Sequence, residues 1–171
     1  MPINLFEMLL WTFRRNENDV INLYDSLSPM MQLSTSGDML NFGFWDNSTN
    51  TPIEAQNNLC NFTGKMANLY EAKSLIDVGS GILGPAKRWN LDYPDLEIFA
   101  VNINYNQLRD SNTSSIEKLN STSRFLPFSN NSVDRIIALE SAQHFKPLAD
   151  FLLESKRILK HDGILVIAIP I

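Results

Sequence analysis

One cysteine, Cys60, stands in a chain of 171 residues. A lone thiol cannot close an internal disulfide, so a reducing, cytoplasmic setting is the expectation. Neither of the two histidines clusters with it in sequence, and no metal site is expected. An excess of cations is missing too. The formal net charge is −5 and no basic stripe is visible, which argues against DNA or RNA as a partner. No apolar run approaches the roughly 18–20 residues that a membrane span needs. The N-terminal run Leu5-Phe6-Glu7-Met8-Leu9-Leu10-Trp11 is short and interrupted by Glu7. Its basic pair, Arg14-Arg15, follows it, the reverse of a secretory signal. Triplets such as Asn47-Ser48-Thr49 and Asn120-Ser121-Thr122 then mark only richness in Asn and Ser. The apolar content of 44% and charged content of 19% fit one globular domain with its own core.

Glycine is sparse as well, seven in all, and three of them fall together as Gly79, Gly81 and Gly84. They follow Ser74-Leu75-Ile76-Asp77-Val78, a short buried strand pattern, and precede Pro85, which suits the first turn of a helix. Strand, G-x-G-x-x-G turn and helix N-terminus in that order form a nucleotide cradle, the last glycine letting helix pack on strand. Asp77 narrows the ligand. A carboxylate two residues before the first glycine would repel a pyrophosphate, whereas it attracts the ammonium and sulfonium of S-adenosylmethionine. The plain alternative is that Asp77 caps the turn.

The remaining pattern alternates helix and strand. Ile3 to Arg15 reads as a helix with Leu5, Phe6, Leu9, Leu10 and Phe13 on one side, a face expected to dock on the domain, with membrane contact as the lesser option. Asn18 to Leu27 reads as a second helix ending near Pro29. The loop-rich stretch 34–52 holds Leu40-Asn41-Phe42-Gly43-Phe44-Trp45, read either as a hydrophobic plug or as a lid whose aromatic faces cover a cation. A helix from Pro52 to about Glu71 would bury Leu59, Phe62, Met66 and Leu69. Strands are expected at 96–102, 116–121, 133–139 and 164–169, the last a fully apolar run suited to the interior of a parallel sheet. A helix from Leu148 to Leu159 would turn Leu148, Phe151, Leu152 and Ile158 inward. The fold class is α/β: a Rossmann-like, mostly parallel, doubly wound sheet of about five strands under an N-terminal helical cap. The cap and lid would occupy 1–72 and the nucleotide-binding domain 73–171.

Asn102 closes the second strand, where an acidic side chain usually grips ribose hydroxyls. Asn offers one acceptor and two donors but no charge. Ile103 would form an apolar platform for adenine, and Gln107 lies one turn further on. Glu140, Ser141, Ala142, Gln143 and His144 follow the fourth strand, the position where open α/β sheets bind ligands.

Six pieces in order, LNFGFW, AQNNL, DVGSGILGPA, AVNINYNQL, FLPFSNNSVDRIIALESAQHF and SKRILKHDGILVIA, resemble class I S-adenosylmethionine-dependent methyltransferases. The resemblance is to the small-molecule branch with its sugar O-methyltransferases, and it covers the chain from about Tyr24 onward. It implies S-adenosylmethionine as cofactor. The methionine moiety would lie at Asp77, Gly79 and Gly81, and ribose and adenine at Asn102, Ile103 and Gln107. Thr122 and Ser123 would line the adenine, Phe44 and Trp45 would form the lid, and Glu140 and His144 would face donor and acceptor.

Departures from the family pattern are Leu83 where glycine is common, Thr122 where Asp is usual, and Ile169 where the sugar enzymes often carry an acid. The family fold continues past a fifth strand with a helix and an antiparallel pair. A further segment, or a second copy of the chain, would therefore be expected to cover the sheet edge.

For a hydroxyl acceptor His144 is the candidate general base, with Glu140 orienting it or touching the donor; a purely structural hydrogen bond is the alternative for His144. No Asn/Asp-Pro-Pro-Tyr/Phe piece occurs, which counts against nucleic-acid amino groups. Two other functions stay open: a non-catalytic donor-binding module, and a nicotinamide-binding domain, which Asp77 and uncharged Asn102 both oppose.

Overall fold

A computed structural model describes residues 5–170. Five strands form one sheet in the order β3-β2-β1-β4-β5: β1 Ser74–Val78, β2 Glu97–Asn102, β3 Glu117–Asn120, β4 Val133–Leu139 and β5 Leu159–Ala168. Every neighbouring pair is parallel. Parallel neighbours require crossovers, which α4 Gly84–Asp92, α5 Tyr105–Asp110 and α6 Leu148–Ile158 supply together with the loop from β3 to β4. The chain thus winds outward from β1 in both directions, and a crevice opens between β1 and β4 at their carboxyl ends.

Each sheet face has its own core. On one, Trp89 of α4 packs with Leu59, Cys60, Leu75, Ile98 and Ile137. On the other, Phe151 and Ile158 of α6 pack with Ile76, Val78, Val101 and Ile136. Trp89 and Phe151 are essentially inaccessible, and each buried ring of this size stabilises the fold by roughly 2–3 kcal/mol over an exposed one. Burial, with the Asp77 charge nearby, pushes the Cys60 thiol up to about 12, so it stays a protonated packing group.

The N-terminal part is α1 Leu5–Thr12, α2 Glu17–Thr35 and α3 Pro52–Met66. Several expectations change here. The second helix does not stop near Pro29 but runs through it to Thr35. Pro29 removes one ladder bond, yet side-chain bonds from Asn104 and Gln107 hold α2 in place. The apolar side of α1 is only partly buried: Leu10 is half-buried, while Phe6, Leu9 and, just past the helix, Phe13 are exposed, and α1 meets mainly α2. Ile3 and the side chain of Leu5 lie outside the described residues.

Helix α3 buries Ala55, Gln56, Leu59, Cys60, Thr63 and Gly64, leaving Phe62 and Met66 outside. Its inner face mixes small residues with hydrogen-bonded Gln56 and Thr63, so hydropathy alone does not mark it. On α6 only Phe151 and Ile158 of the expected inward set are deeply buried, while Leu148 and Leu152 are exposed. The last strand starts five residues earlier than the apolar run and lies at an edge of the sheet, half-exposed along 163–168. Its register slips between Val133 and Arg135, absorbing the Asp162-Gly163 stretch as an irregularity.

Candidate active site

The crevice at the carboxyl ends of β1 and β4 spans about 890 Å³ of empty space, counting the open solvent at its mouth. Its floor is the glycine turn. Gly79 has φ +78°, and a Cβ there would sit 2.4 Å from Cβ of Ser141, so the position requires glycine on both counts. The Gly79 and Ser80 amides donate to the Val101 carbonyl at 2.8 and 3.2 Å, tying the turn to β2. Ser141 donates to the Val78 carbonyl at 2.6 Å, tying it to the segment after β4. The third glycine does something other than the motif suggests. A Cβ at Gly84 would lie 2.1 Å from the Asp38 carbonyl oxygen, so Gly84 admits the 38–41 loop instead of helix against strand. Leu83 adopts φ +69° and is completely buried in the core. The core contact of a large apolar side chain offsets the backbone strain.

Most predicted site residues converge on this crevice. Gly79, Gly81, Asn102, Ile103, Gln107, Ser123, Glu140 and His144 all line it. Asp77, Thr122, Phe44 and Trp45 do not. Asp77 lies just beneath the floor, buried, with Oδ2 lacking any hydrogen-bond partner. Desolvation pushes its carboxyl up to about 7. Thr122 does not line the crevice but donates to Glu17 of α2, which does, and its neighbours Ser121 and Ser123 take the lining positions. Phe44 stacks on Phe62 at 5.6 Å, and Trp45 donates to the Phe42 carbonyl at 3.0 Å; both rings are about half-exposed. The aromatic piece is therefore anchored to α3, and what reaches the crevice from this loop is Asp38, Leu40 and Asn41.

Asn102 spends its side-chain nitrogen on the protein itself. Its amide donates to the Gly81 carbonyl at 3.2 Å and to Gln107 Oε1 at 2.8 Å. An acid at this position could accept but not donate, so Asn buys a direct link between the end of β2 and the glycine turn. Gln107 passes the link on to Ser28 of α2 at 2.9 Å.

Glu140 and His144 part company. Glu140 has φ +47° and its carboxylate accepts the Phe42 amide at 2.8 Å. It pins the 40–44 loop and does not orient His144. Burial raises its carboxyl, opposed by the Phe42 and Gly43 amides. His144 instead meets Tyr24 of α2, whose hydroxyl is 3.0 Å from Nε2 with the rings edge to face. Nδ1 is buried without a partner. Burial, then Arg14 and Lys146, push the imidazole down to about 4, so it is neutral near pH 7. Burial raises the Tyr24 phenol. Tyr24 had no motif to announce it; only its helical spacing of seven from Glu17, which puts both on the crevice side of α2, hinted at it.

A family model described as a methyltransferase domain matches residues 76–167, more than half of the chain. The chain belongs to this methyltransferase-domain family. Among curated relatives of this methyltransferase-domain chain is the erythromycin 3''-O-methyltransferase of Saccharopolyspora erythraea, 26% identical over 166 residues. The alignment takes in 92% of this chain and 54% of that protein, so the chain spans about half the length of the relative. Among solved structures, the cyclase SpnF superposes with a TM-score of 0.80 at 22% identity, over 88% of this chain and 59% of that one. A mycolic acid cyclopropane synthase complexed with SAH and CTAB gives 0.72 at 21% identity, over 84% and 53%. These likenesses establish the Rossmann-like methyltransferase fold.

Membership of the family implies S-adenosylmethionine as cofactor. The residues present fit it. The lining joins apolar Val101, Ile103 and Leu139 to backbone at the glycine turn. Beneath that turn the unpartnered Asp77 Oδ2 belongs to a buried carboxyl that a cationic ligand would draw into its charged form. No phosphate-binding cation lines the same crevice.

Proposed function

We propose that this chain is the donor-binding part of an S-adenosylmethionine-dependent methyltransferase that modifies a hydroxyl of a small molecule. The reading is carried by one observation: the glycine floor and the Tyr24–His144 pair line the same crevice. Gly79, Ser80 and Gly81 would hold the methionine moiety over Asp77, and Asn102, Ile103 and Ser123 the nucleoside. The bound donor supplies an electrophilic methyl group, already activated.

The chain's residues then have two tasks, placing the acceptor oxygen in line and taking its proton. Nδ1 of His144 is buried and Nε2 faces Tyr24, so the route runs through the phenol. Tyr24 would pass its proton to Nε2 as it takes the acceptor's, leaving the alcohol oxygen free to receive the methyl group that a bound donor would supply. The proton ends on His144 and the phenol is restored. A small acceptor met in a reducing, cytoplasmic compartment completes the reading.

Calorimetric titration of S-adenosylmethionine into the wild-type chain and Asp77→Ala tests donor binding. At least tenfold weaker binding by the variant is expected, and equal heats would sink the site. Turnover with a panel of hydroxylated acceptors tests the chemistry. A second reading, a binding module that turns nothing over by itself, is favoured by Thr122 being tied to Glu17 and absent from the crevice lining. Donor binding without turnover in that panel would select it.

A further inference from the structure

A second, cationic recess adjoins the crevice, and His144 and Glu17 line both. In a chain of net charge −5 it gathers Arg14, Arg15, Arg124 and Lys146 around His144, together with the first turn of α2. Two of these cations are answered: Arg15 pairs with Asp19 at 2.9 Å, and Arg124 with Glu17 at 3.4 Å. Arg14 and Lys146 make no ion pair among the described residues. Lys146 Nζ donates instead to the Arg14 carbonyl at 3.1 Å, which draws the two segments together beside His144.

Arg14 is half-buried at the corner between α1 and α2, held in a left-handed backbone conformation at φ +45°. That conformation turns the chain at the end of α1, where the Arg14 amide donates to the Trp11 carbonyl at 2.9 Å. The amino end of the 19-residue α2 adds its own positive pole to the recess.

We infer that this recess binds an oxyanion carried by the methyl acceptor, making the substrate a hydroxylated small molecule with a carboxylate or phosphate group. The inference rests on reading the neighbouring crevice as the methyl-transfer site. The planar guanidinium of Arg14 suits either oxyanion, and Lys146 supplies a point charge. The anion would fix the acceptor with its hydroxyl on the Tyr24 side of His144. It would also answer the two cations that oppose a proton on that imidazole. Glu17 is the one carboxylate among the lining residues, and its bonds to Thr122 and Arg124 hold it to the far wall.

The test is a titration of the whole chain with inorganic phosphate, and in parallel with acetate, at constant ionic strength. The readouts are the His144 imidazole and backbone amide NMR signals. Saturable shifts at Arg14, His144 and Lys146 are expected with at least one of the two anions, and which one separates a phosphorylated acceptor from a carboxylated one. The double variant Arg14→Gln/Lys146→Gln should weaken that binding about tenfold or more, the scale of one lost charge-assisted contact. Non-saturable shifts, or equal binding by the variant, overturn the inference. Titrating S-adenosylhomocysteine into both proteins keeps the two readings apart. Its failure to bind the wild type counts against the methyltransferase reading, while unchanged binding by the variant shows that the variant is folded.

Discussion

The floor and the roof of the crevice are built by different physics. The floor, from Val78 to Gly81 with Ser141, is held by backbone geometry: a left-handed glycine, two amides on one carbonyl, and a serine hydroxyl on the end of β1. The roof is α2, held by single polar side-chain contacts: Asp25 with Asn104 at 2.7 Å, Ser28 with Gln107 at 2.9 Å and Tyr24 with His144 at 3.0 Å. A backbone turn cannot be weakened in part, whereas a row of side-chain bonds can be cut one at a time. The floor is suited to an invariant part of a ligand, and the roof to the part that differs between substrates.

The largest effect should come from Gly79→Ala. The methyl group meets both the φ barrier and the Ser141 clash, so donor binding should fall at least a hundredfold by calorimetry, with about 2 kcal/mol or more lost in urea denaturation. A mild effect would mean that the floor is as adjustable as the roof.

Asp77→Asn sharpens the contrast through pH. The folded carboxyl titrates at about 7 and the unfolded one near its ordinary value of 3.8, so the unfolded chain releases its proton first. Its contribution to stability is therefore greatest below pH 3.8 and is lost as pH rises toward 7. The Asn variant should gain on wild type across that window in urea midpoints and hold the gain above it, while donor affinity falls. His144 runs the other way. Its folded value of about 4 lies below the ordinary 6.5, so its contribution is full above 6.5 and is lost as pH falls toward 4. His144→Gln should flatten that acid limb.

Tyr24→Phe removes one roof contact and keeps the ring. Turnover is expected to drop about 10–100-fold if the phenol relays the proton, with donor affinity near wild type and stability changed by about 1 kcal/mol. Equal losses in donor affinity and turnover would make Tyr24 a structural strut. The smallest effect is expected for Trp45→Ala. Its ring is about half-exposed and away from the crevice, so donor affinity should change less than about twofold, and a larger loss would restore the lid reading.

Much of the floor could be read in one dimension because its parts are consecutive. Strand, Asp77, glycines and Pro85 lie within a dozen residues, and steric rules for glycine and proline act locally. The apolar runs likewise announced β1, β2 and β4 within about one residue of their observed ends. What misled were faces and partners. Phe62 and Met66 looked like the inner side of α3, Thr122 like a nucleoside contact, and Glu140 like a companion of His144. Each depends on which distant segment arrives: the sheet behind α3, Glu17 beside Thr122, the Phe42 amide beside Glu140.

By itself the sequence determined the parallel α/β order, the glycine turn and the family, because hydrophobic period and backbone sterics are properties of neighbouring residues. Only the tertiary structure decided that Tyr24 answers His144 across 120 residues of chain. It also decided that Arg14 and Lys146 meet beside that imidazole while Asp77 stays beneath the floor. Hydrogen bonds and unscreened charge act over a few ångströms of space, and no spacing along the chain records which groups folding brings that close.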